Sequence, residues 1–255
     1  MDIEKDHVIG IVGGMGPEAG LSLFNKILYH TDAGTDQEHL SVMLMSFPKH
    51  IADRTLFLEG RTRVNPGYNV AKVIERLAAA GSKVAGIACN TCHAPAIYNT
   101  ILEELDTLNC HIGLVNMPFE TCRYIRDNHP QIHRIGIMST NGTYSSGIYD
   151  QQLRQHGYEI VTPDPGFQSQ VIHRMIYDPG FGIKANLGGI TREAKLLMDK
   201  ALAFFRQKKA DAIILGCTEL SIVAAGEELS TDMLVVDSVD ALALALIREV
   251  TKVGI

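Results

Sequence analysis

Two cysteines occupy similar positions in the sequence, each directly after an apolar run and directly before polar residues. They are Cys89, in Cys89-Asn-Thr91, and Cys217, in Cys217-Thr218. Backbone N–H groups and a positive helix end would surround a thiol at such a strand–helix junction, which favours the thiolate and lowers the thiol pKa. Two such thiols on opposite sides of a substrate carbon could remove a Cα proton from one face and deliver a proton to the other, which inverts the configuration.

Removal of a Cα proton needs hydrogen-bond donors around the substrate α-carboxylate, because negative charge develops there as an enediolate forms. Polar side chains close to both cysteines, and in one further turn, could supply these donors. We expect this role for Asn90, Thr91, Thr218, and Thr140 and Thr143 of the Thr140-Asn-Gly-Thr143 turn.

The string Cys89-Asn-Thr-Cys92-His93 admits three other interpretations. A C-x-x-C-H string is typical of c-type haem attachment, but that chemistry needs export and no export signal precedes the first apolar run. A thioredoxin-type dithiol would leave Cys217 unexplained, and a zinc site lacks a second spaced pair of ligands. We therefore expect no metal site, and Cys92 is predicted to be a small buried side chain. A C-x-x-C oxidoreductase remains the alternative from another class.

A glycine-rich segment, Gly13-Gly-Met-Gly-Pro17, follows the first apolar run. Its spacing departs from the dinucleotide-binding pattern, and the second strand ends without the acidic residue that such a site needs. The segment could be a tight turn, or its backbone N–H groups could cradle a small anion such as a carboxylate. Met15, which lies in this segment, is counted among the candidate substrate-binding residues.

Short apolar runs alternate with segments of helical spacing along the whole chain. Helices are predicted at 70–80, through Arg123 and Arg126, at 193–207 and at 239–250, and strands at 8–12, 41–46, 84–88, 111–115, 134–138, 159–162, 212–215 and 234–237. This alternation predicts an α/β fold with parallel sheets and helices on both faces, in which ligands bind at the carboxyl ends of the strands.

The chain also carries the pattern of an internal duplication. Ile9-Gly-Ile-Val12 aligns with Ile135-Gly-Ile-Met138, and the same offset brings Cys89 within two residues of Cys217. Two similar α/β halves that face each other would bring two strand-end cysteines to one cleft.

Composition limits the function classes. Of the 255 residues 46% are hydrophobic, and 29 acidic against 23 basic residues give a formal charge of −6. Such a chain is a poor candidate for binding nucleic acid or an anionic membrane. There is no apolar run of bilayer length, and the five cysteines, an odd number, argue against a disulfide framework. We expect a cytoplasmic protein with free thiols.

Three motifs closely resemble the aspartate/glutamate racemase superfamily, and its aspartate racemase branch most. They are Gly13-Gly-Met-Gly-Pro17, Ala88-Cys-Asn-Thr91 with His93, and Gly216-Cys-Thr-Glu-Leu220. The resemblance extends over nearly the whole chain. It implies a cofactor-independent homodimer with two pseudo-symmetric α/β domains and an active site between them, in which Cys89 and Cys217 act as acid and base on a small-molecule substrate.

The resemblance also implies which residues hold the distal carboxylate of an acidic substrate. By position these are Arg54 and Lys184, and an Arg fork and a mobile Lys charge suit that role. Lys184 belongs to a glycine-rich segment, 178–189, that could close over a substrate. Arg61 and Arg63 are alternatives for the charge. His93 and Glu219 each follow one cysteine and could either orient it or be structural.

The sequence thus predicts two similar domains, 1–116, completed by the last strand and helix at 229–255, and 117–228. The predicted activity is racemisation of aspartate, with glutamate or a broader range of amino acids as the near alternative. Within the superfamily a maleate isomerase or a decarboxylase is the runner-up, and a ligand-binding protein without catalysis is a third interpretation.

Overall fold

Two four-stranded parallel sheets form the framework of the computed structural model, which describes residues 6–186, 189–226 and 229–252. The first sheet has the strand order β2-β1-β3-β4 and the second the order β6-β5-β7-β8. The strands are β1 Val8–Gly13, β2 Val42–Ser46, β3 Ser82–Ile87, β4 Gly113–Val115, β5 Arg134–Ser139, β6 Glu159–Val161, β7 Ala212–Gly216 and β8 Leu234–Asp237.

Helices cover both sheets and connect their strands. Between β1 and β6 lie α1 Pro17–His30, α2 Arg54–Leu58, α3 Gly67–Ala79, α4 Pro95–Thr107, α5 Met117–Asn128, α6 Asn141–Ser146 and α7 Asp150–Gln155. After β6 come α8 Pro165–Phe167, α9 Arg174–Tyr177, α10 Arg192–Gln207, α11 Thr218–Gly226 and α12 Ser238–Lys252. A π-helical segment, Gln168–His173, joins α8 to α9. No helix in the described ranges combines the length and the apolar character that crossing a membrane requires.

The central strands are buried along their full length because helices cover both faces. All six residues of β1 and all five of β7 are buried, as expected for a parallel sheet in an α/β fold. The eight predicted strands are all present, and their bounds differ from the predictions by at most two residues. The predicted α/β fold with two similar parallel sheets is confirmed.

The internal duplication predicted from the sequence corresponds to a repeated topology. β1 and β5 occupy the same place in the two strand orders, as do β3 and β7. Cys89 follows β3 and Cys217 follows β7, so each cysteine leaves the carboxyl end of an equivalent central strand.

The carboxyl-terminal strand and helix are divided between the two sheets. β8 pairs with β7 along Leu234–Asp237, so the prediction that this strand completes the first half is wrong. α12 does cover the first sheet: Leu242 and Leu246 pack in one core cluster with Ile9 and Leu23. An apolar run predicts that a strand is present but not which strand it pairs with, which explains the error. Residues 1–5 and 253–255 of the predicted domains lie outside the described residues.

α5 also contacts the first half, although the predicted boundary at residue 116 assigns it to the second. It packs against α12, and its first residue, Met117, belongs to the same core cluster as Leu242. The boundary between 116 and 117 therefore stays a proposal.

Candidate active site

Loops from both sheets converge on one small cavity. The residues that line it are Met15, Arg54, Cys89, Asn90, Thr91, Thr140, Tyr177, Lys184, Cys217, Thr218 and Glu219. Both cysteines are therefore in the same cavity, one from each sheet. The loops lie at the carboxyl ends of parallel strands, where α/β folds bind their ligands.

Cys89 is positioned as the N-cap of a short 3-10 turn, Asn90–His93, directly after β3. A hydrogen bond from the Cys92 thiol lowers the pKa of Cys89, and the charges of Arg54 and Lys184 lower it further, against the opposing effect of burial. Each of these interactions favours the charged form of the sulfur. The predicted thiolate character of Cys89 thus has identifiable causes in the structure.

Cys217 lies between β7 and α11 in a different electrostatic environment. Its Sγ donates to Glu219 Oε2 at 2.9 Å. Burial raises the pKa of Cys217, and the Glu219 carboxylate raises it further. The prediction that the helix start lowers the pKa of this thiol is therefore wrong, since the adjacent carboxylate and desolvation outweigh the helix. The site therefore pairs a more acidic thiol at Cys89 with a less acidic thiol at Cys217.

Replacement of Glu219 by glutamine is expected to make Cys217 more acidic. The isosteric amide removes the anion that opposes the thiolate, and the Lys184 cation, which favours the thiolate, stays beside it. The pKa of Cys217 should therefore fall. We expect its alkylation by iodoacetamide at mildly alkaline pH to accelerate about tenfold, which corresponds to one pKa unit. Peptide mass spectrometry would resolve Cys217 from the other cysteines.

Lys184→Met is the matched variant and should change the pKa of Cys217 in the opposite direction. It removes the cation that lowers the pKa of Cys217, so alkylation of this thiol should slow. Equal Cys217 reactivity in both variants and the native protein, with unchanged circular dichroism, would show that this ion pair does not control the thiol.

Arg54 is a buried cation that lacks a carboxylate partner among the described side chains. It is 7% exposed, and its two amino groups donate to the carbonyl oxygens of Met15, at 3.2 Å, and Ala52, at 3.4 Å. Its Nε is buried without a hydrogen-bond partner. Burial acts in the opposite direction, yet the Cys89 sulfur raises the pKa of Arg54. A buried guanidinium with an unused donor is prepared for an anion.

Lys184 forms an ion pair with Glu219, and the two face Tyr177. Lys184 Nζ contacts Glu219 Oε1 and lies 5.4 Å from the centre of the Tyr177 ring. Burial opposes it, but the charge of Glu219 raises the pKa of Lys184. Glu219 thus bridges Lys184 and Cys217 instead of having a purely structural role. Lys184 lies in a 3-10 turn, Ile183–Ala185, of the predicted closing segment, of which Leu187 and Gly188 lie outside the described residues.

Tyr177 is a cavity residue that sequence reasoning missed. It ends α9, and its hydroxyl donates to Asp53 Oδ2 at 3.0 Å. The same carboxylate caps α2 by accepting from the Leu56 N–H at 2.9 Å. No helix was predicted at 165–177, so the available signal was a tyrosine directly before the predicted closing segment, 178–189.

Hydroxyl groups connect the two halves beside the cavity. Thr91 Oγ1 lies 3.1 Å from Thr140 Oγ1 and 2.8 Å from Thr143 Oγ1. Thr140 also caps α6. Thr143 lines a separate pocket beside β6 instead of the cysteine cavity, because it is one helical turn further along α6. Its predicted contact with substrate is therefore not supported by its position.

Asn90 lines the cavity, but its amide is largely engaged within the protein. The Nδ2 group donates to Ser238 Oγ at 3.0 Å, and Oδ1 accepts from the Tyr149 hydroxyl. Tyr149 comes from the second half, so this side chain also connects the two halves. Thr218 Oγ1, the remaining predicted donor, lies 3.2 Å from Glu219 Oε2.

His93 does not line the cavity and has a structural role. Its Nε2 accepts from the Met117 N–H at 3.3 Å, so Nδ1 carries the proton and donates to the Cys89 carbonyl oxygen at 3.0 Å. Burial lowers the pKa of His93 to about 4. The neutral ring therefore fixes the backbone of Cys89. In the described ranges, His, Cys, Asp and Glu side chains form no cluster that could hold a metal ion.

The glycine-rich segment forms a tight turn that places Met15 in the cavity. Gly14 has φ of +94°, and a Cβ there would lie 2.9 Å from the Phe47 nitrogen, so a side chain would be excluded. The segment offers the Met15 carbonyl to Arg54. The predicted cradle of N–H groups for an anion remains a prediction.

A larger cleft adjoins the cysteine cavity. The cavity itself has about 10 Å³, room for about one water molecule. The neighbouring cleft has about 520 Å³ and shares four lining residues with it: Met15, Arg54, Lys184 and Glu219. These four side chains separate the cysteines from the wider space.

Comparisons with known proteins agree with this geometry. A family described as Asp/Glu/Hydantoin racemase matches residues 12–246. Picrophilus torridus aspartate racemase superposes with a TM-score of 0.78 and 28% identity over 96% of this chain and 94% of that chain. A broad specificity amino-acid racemase, RacX of Bacillus subtilis, is 23% identical over 92% of this chain and 95% of its own.

A glutamate racemase has the same fold at lower identity. The enzyme of Francisella tularensis, solved with D-glutamate, has a TM-score of 0.67 and 17% identity over 99% of this chain and 83% of that chain. At that identity the likeness concerns the fold alone.

Proposed function

The chain belongs to the Asp/Glu/hydantoin racemase family, and from this premise we propose that it interconverts L- and D-aspartate by two-base proton transfer between Cys89 and Cys217. The observation that carries the proposal is the convergence of these two thiols, one from each sheet, on one cavity that also contains Arg54. Racemisation at Cα is the reaction that needs one proton acceptor and one proton donor on opposite sides of a carbon.

The different environments of the two thiols assign their first roles. The Cys89 thiolate takes the Cα proton, and the electron pair of the broken C–H bond moves into the α-carboxylate as an enediolate. The Cys217 thiol then gives its proton to the opposite face of Cα. This leaves a thiol at Cys89 and a thiolate at Cys217, which carries out the reaction in reverse. The mechanism uses no pyridoxal phosphate, because hydrogen-bond donors stabilise the enediolate.

Arg54 and Lys184 suit the distal carboxylate of an acidic amino acid. Arg54 has an unused buried Nε, and Lys184 is already neutralised by Glu219. A substrate carboxylate would therefore first accept a hydrogen bond from the unused Nε of Arg54, and it would compete with Glu219 for Lys184. Thr91, Thr140 and Thr218 present hydroxyl groups in the same cavity and would serve the α-carboxylate.

Access to the cysteines requires movement of the residues that separate cavity and cleft. An amino acid does not fit in about 10 Å³, so Lys184 and Glu219 must move apart as substrate enters from the larger cleft. Closure behind the substrate would exclude water from the enediolate. The similarity to the aspartate racemase of Picrophilus torridus supports aspartate as the preferred substrate.

Incubation of the reduced protein with single L-amino acids in deuterated water tests the activity. We expect L-aspartate to exchange its Cα hydrogen for deuterium and to yield D-aspartate, detected by mass spectrometry and chiral chromatography. Glutamate should react more slowly. Maleate serves as the matched dicarboxylate without an amino group or a tetrahedral Cα, and its conversion to fumarate would indicate the isomerase instead.

Neither exchange nor inversion with any amino acid in the panel would contradict a racemase. Tight aspartate binding without exchange would then identify a binding protein that lacks catalysis. A homodimer, which the resemblance implies, and a cytoplasmic location, which the free cysteines favour, complete the proposal. Light scattering would measure the oligomeric state.

A further inference from the structure

Ser238 lies at the point where the chain passes from the second sheet to the first half. It directly follows β8, which ends at Asp237 and pairs with β7, and it is the first residue of α12, which covers the first sheet. Its side chain is fully buried, and it does not line the cysteine cavity. The proposed mechanism gives this hydroxyl group no role.

The Ser238 hydroxyl group bonds to both strand ends that carry the proton-transferring cysteines. Its oxygen accepts a hydrogen bond from Asn90 Nδ2 at 3.0 Å, and its proton is donated to the Leu215 carbonyl oxygen at 2.7 Å. Asn90 directly follows Cys89, and Leu215 lies two residues before Cys217. One buried side chain thus joins the two cysteine-bearing segments through two hydrogen bonds.

The chemistry of the three groups fixes the direction of these hydrogen bonds. An amide NH₂ group donates, a carbonyl oxygen accepts, and a hydroxyl group does both. Because Asn90, Leu215 and Ser238 are all buried, loss of the hydroxyl group would leave one donor and one acceptor without this partner, which is costly. The other end of the Asn90 amide is held as well, since Oδ1 accepts from the Tyr149 hydroxyl. Rotation of this amide would therefore break both contacts.

We propose that Ser238 is a positioning residue that holds the Cys89 and Cys217 segments at the spacing that two-base proton transfer requires. The inference rests on the proposed function, in which the two thiols act on opposite faces of one carbon. The cysteines follow strands of different sheets, and a misplacement of about 1 Å can cost about 100-fold in rate. A hydroxyl group that bonds to both segments limits such a displacement without touching the substrate.

Deuterium incorporation during turnover in deuterated water tests this role. Exchange within one enantiomer needs one thiol, whereas inversion needs both thiols at the right spacing. In Ser238→Ala we expect inversion of aspartate to slow about tenfold or more, and exchange within the enantiomer whose Cα proton faces Cys89 to slow less. The ratio of exchange to inversion should therefore rise. Ser238→Thr keeps the hydroxyl group and should keep the native ratio.

Ile27→Val is the matched control for a loss of stability. Ile27 is fully buried in the last turn of α1 and does not line the cysteine cavity, so this variant should lower the thermal midpoint without changing the ratio. Ser238→Cys has a weak donor of similar size and replaces the alanine variant if that variant does not fold. A native ratio in folded Ser238→Ala or Ser238→Cys would overturn the inference.

Backbone hydrogen exchange, followed by mass spectrometry, measures the same link without catalysis. Loss of the Ser238 hydroxyl group should speed exchange in the peptide that contains Cys89 and in the peptide that contains Cys217, whereas Ile27→Val should not single out these two peptides. Native exchange rates in both would contradict the link. If the native protein racemised no amino acid but exchange rose in both peptides, the link would be supported and the proposed function would fail by itself.

Discussion

Replacement of Cys217 by alanine is expected to abolish racemisation while proton exchange at Cα survives for one enantiomer. The Cys89 thiolate can still remove and return a proton on its own face, but no donor remains on the other face. Cys89→Ala should show the mirror behaviour only weakly, since the raised pKa of Cys217 leaves little thiolate there. Because general acid–base groups contribute about 10²- to 10⁴-fold, we expect losses of at least this size in the rate of inversion.

Chiral chromatography would measure inversion, and deuterium incorporation into each enantiomer would measure exchange. Cys122→Ala is the matched control, because that thiol is also buried and packs in the core of the second half, and burial raises its pKa to about 12. This variant should keep its racemase activity. Inversion at native rates after removal of either Cys89 or Cys217 would contradict the two-base mechanism.

Arg54→Met should lower kcat/KM for aspartate by about 100-fold or more, the loss expected when a buried charge-assisted contact to a carboxylate is removed. A second effect adds to it. Arg54 lowers the pKa of Cys89, so its loss raises that pKa. As the solution is acidified the thiolate is then lost at a higher pH, so the acidic limb of the pH–rate profile shifts to higher pH.

The same variant is expected to keep or raise the thermal midpoint. A buried guanidinium without a carboxylate partner and with an orphaned Nε costs desolvation energy that methionine avoids. Arg61→Gln is the control: that side chain is 70% exposed and it was an alternative for the substrate charge in the sequence. If kcat/KM fell in Arg61→Gln but not in Arg54→Met, the substrate carboxylate would contact Arg61, in the loop after α2, and not Arg54.

Strand ends and their polar side chains were predictable because buried parallel strands are marked by short apolar runs. β1, β3, β5 and β7 follow this rule, and it places both cysteines at a common edge. Pairing between strands is a different matter. β8 has the same apolar character whichever sheet it joins, so its neighbour β7 could not be read from the sequence.

Residues that act through space rather than through motif spacing were also beyond the sequence. Tyr177 reaches the cavity only because the helical segment 165–177 folds back to Asp53. Burial raises the pKa of Cys217, and Glu219, two residues later, raises it further because it turns its carboxylate to the sulfur. Neither direction follows from residue type, since both depend on side-chain orientation.

The path of α12 has a consequence for biosynthesis. This helix follows the last strand of the second sheet but covers the core of the first, where Leu242 and Leu246 pack against residues near the amino terminus. A nascent chain therefore exposes that apolar face until the residues of α12 have been translated. Folding of the first half is thereby tied to the synthesis of α12.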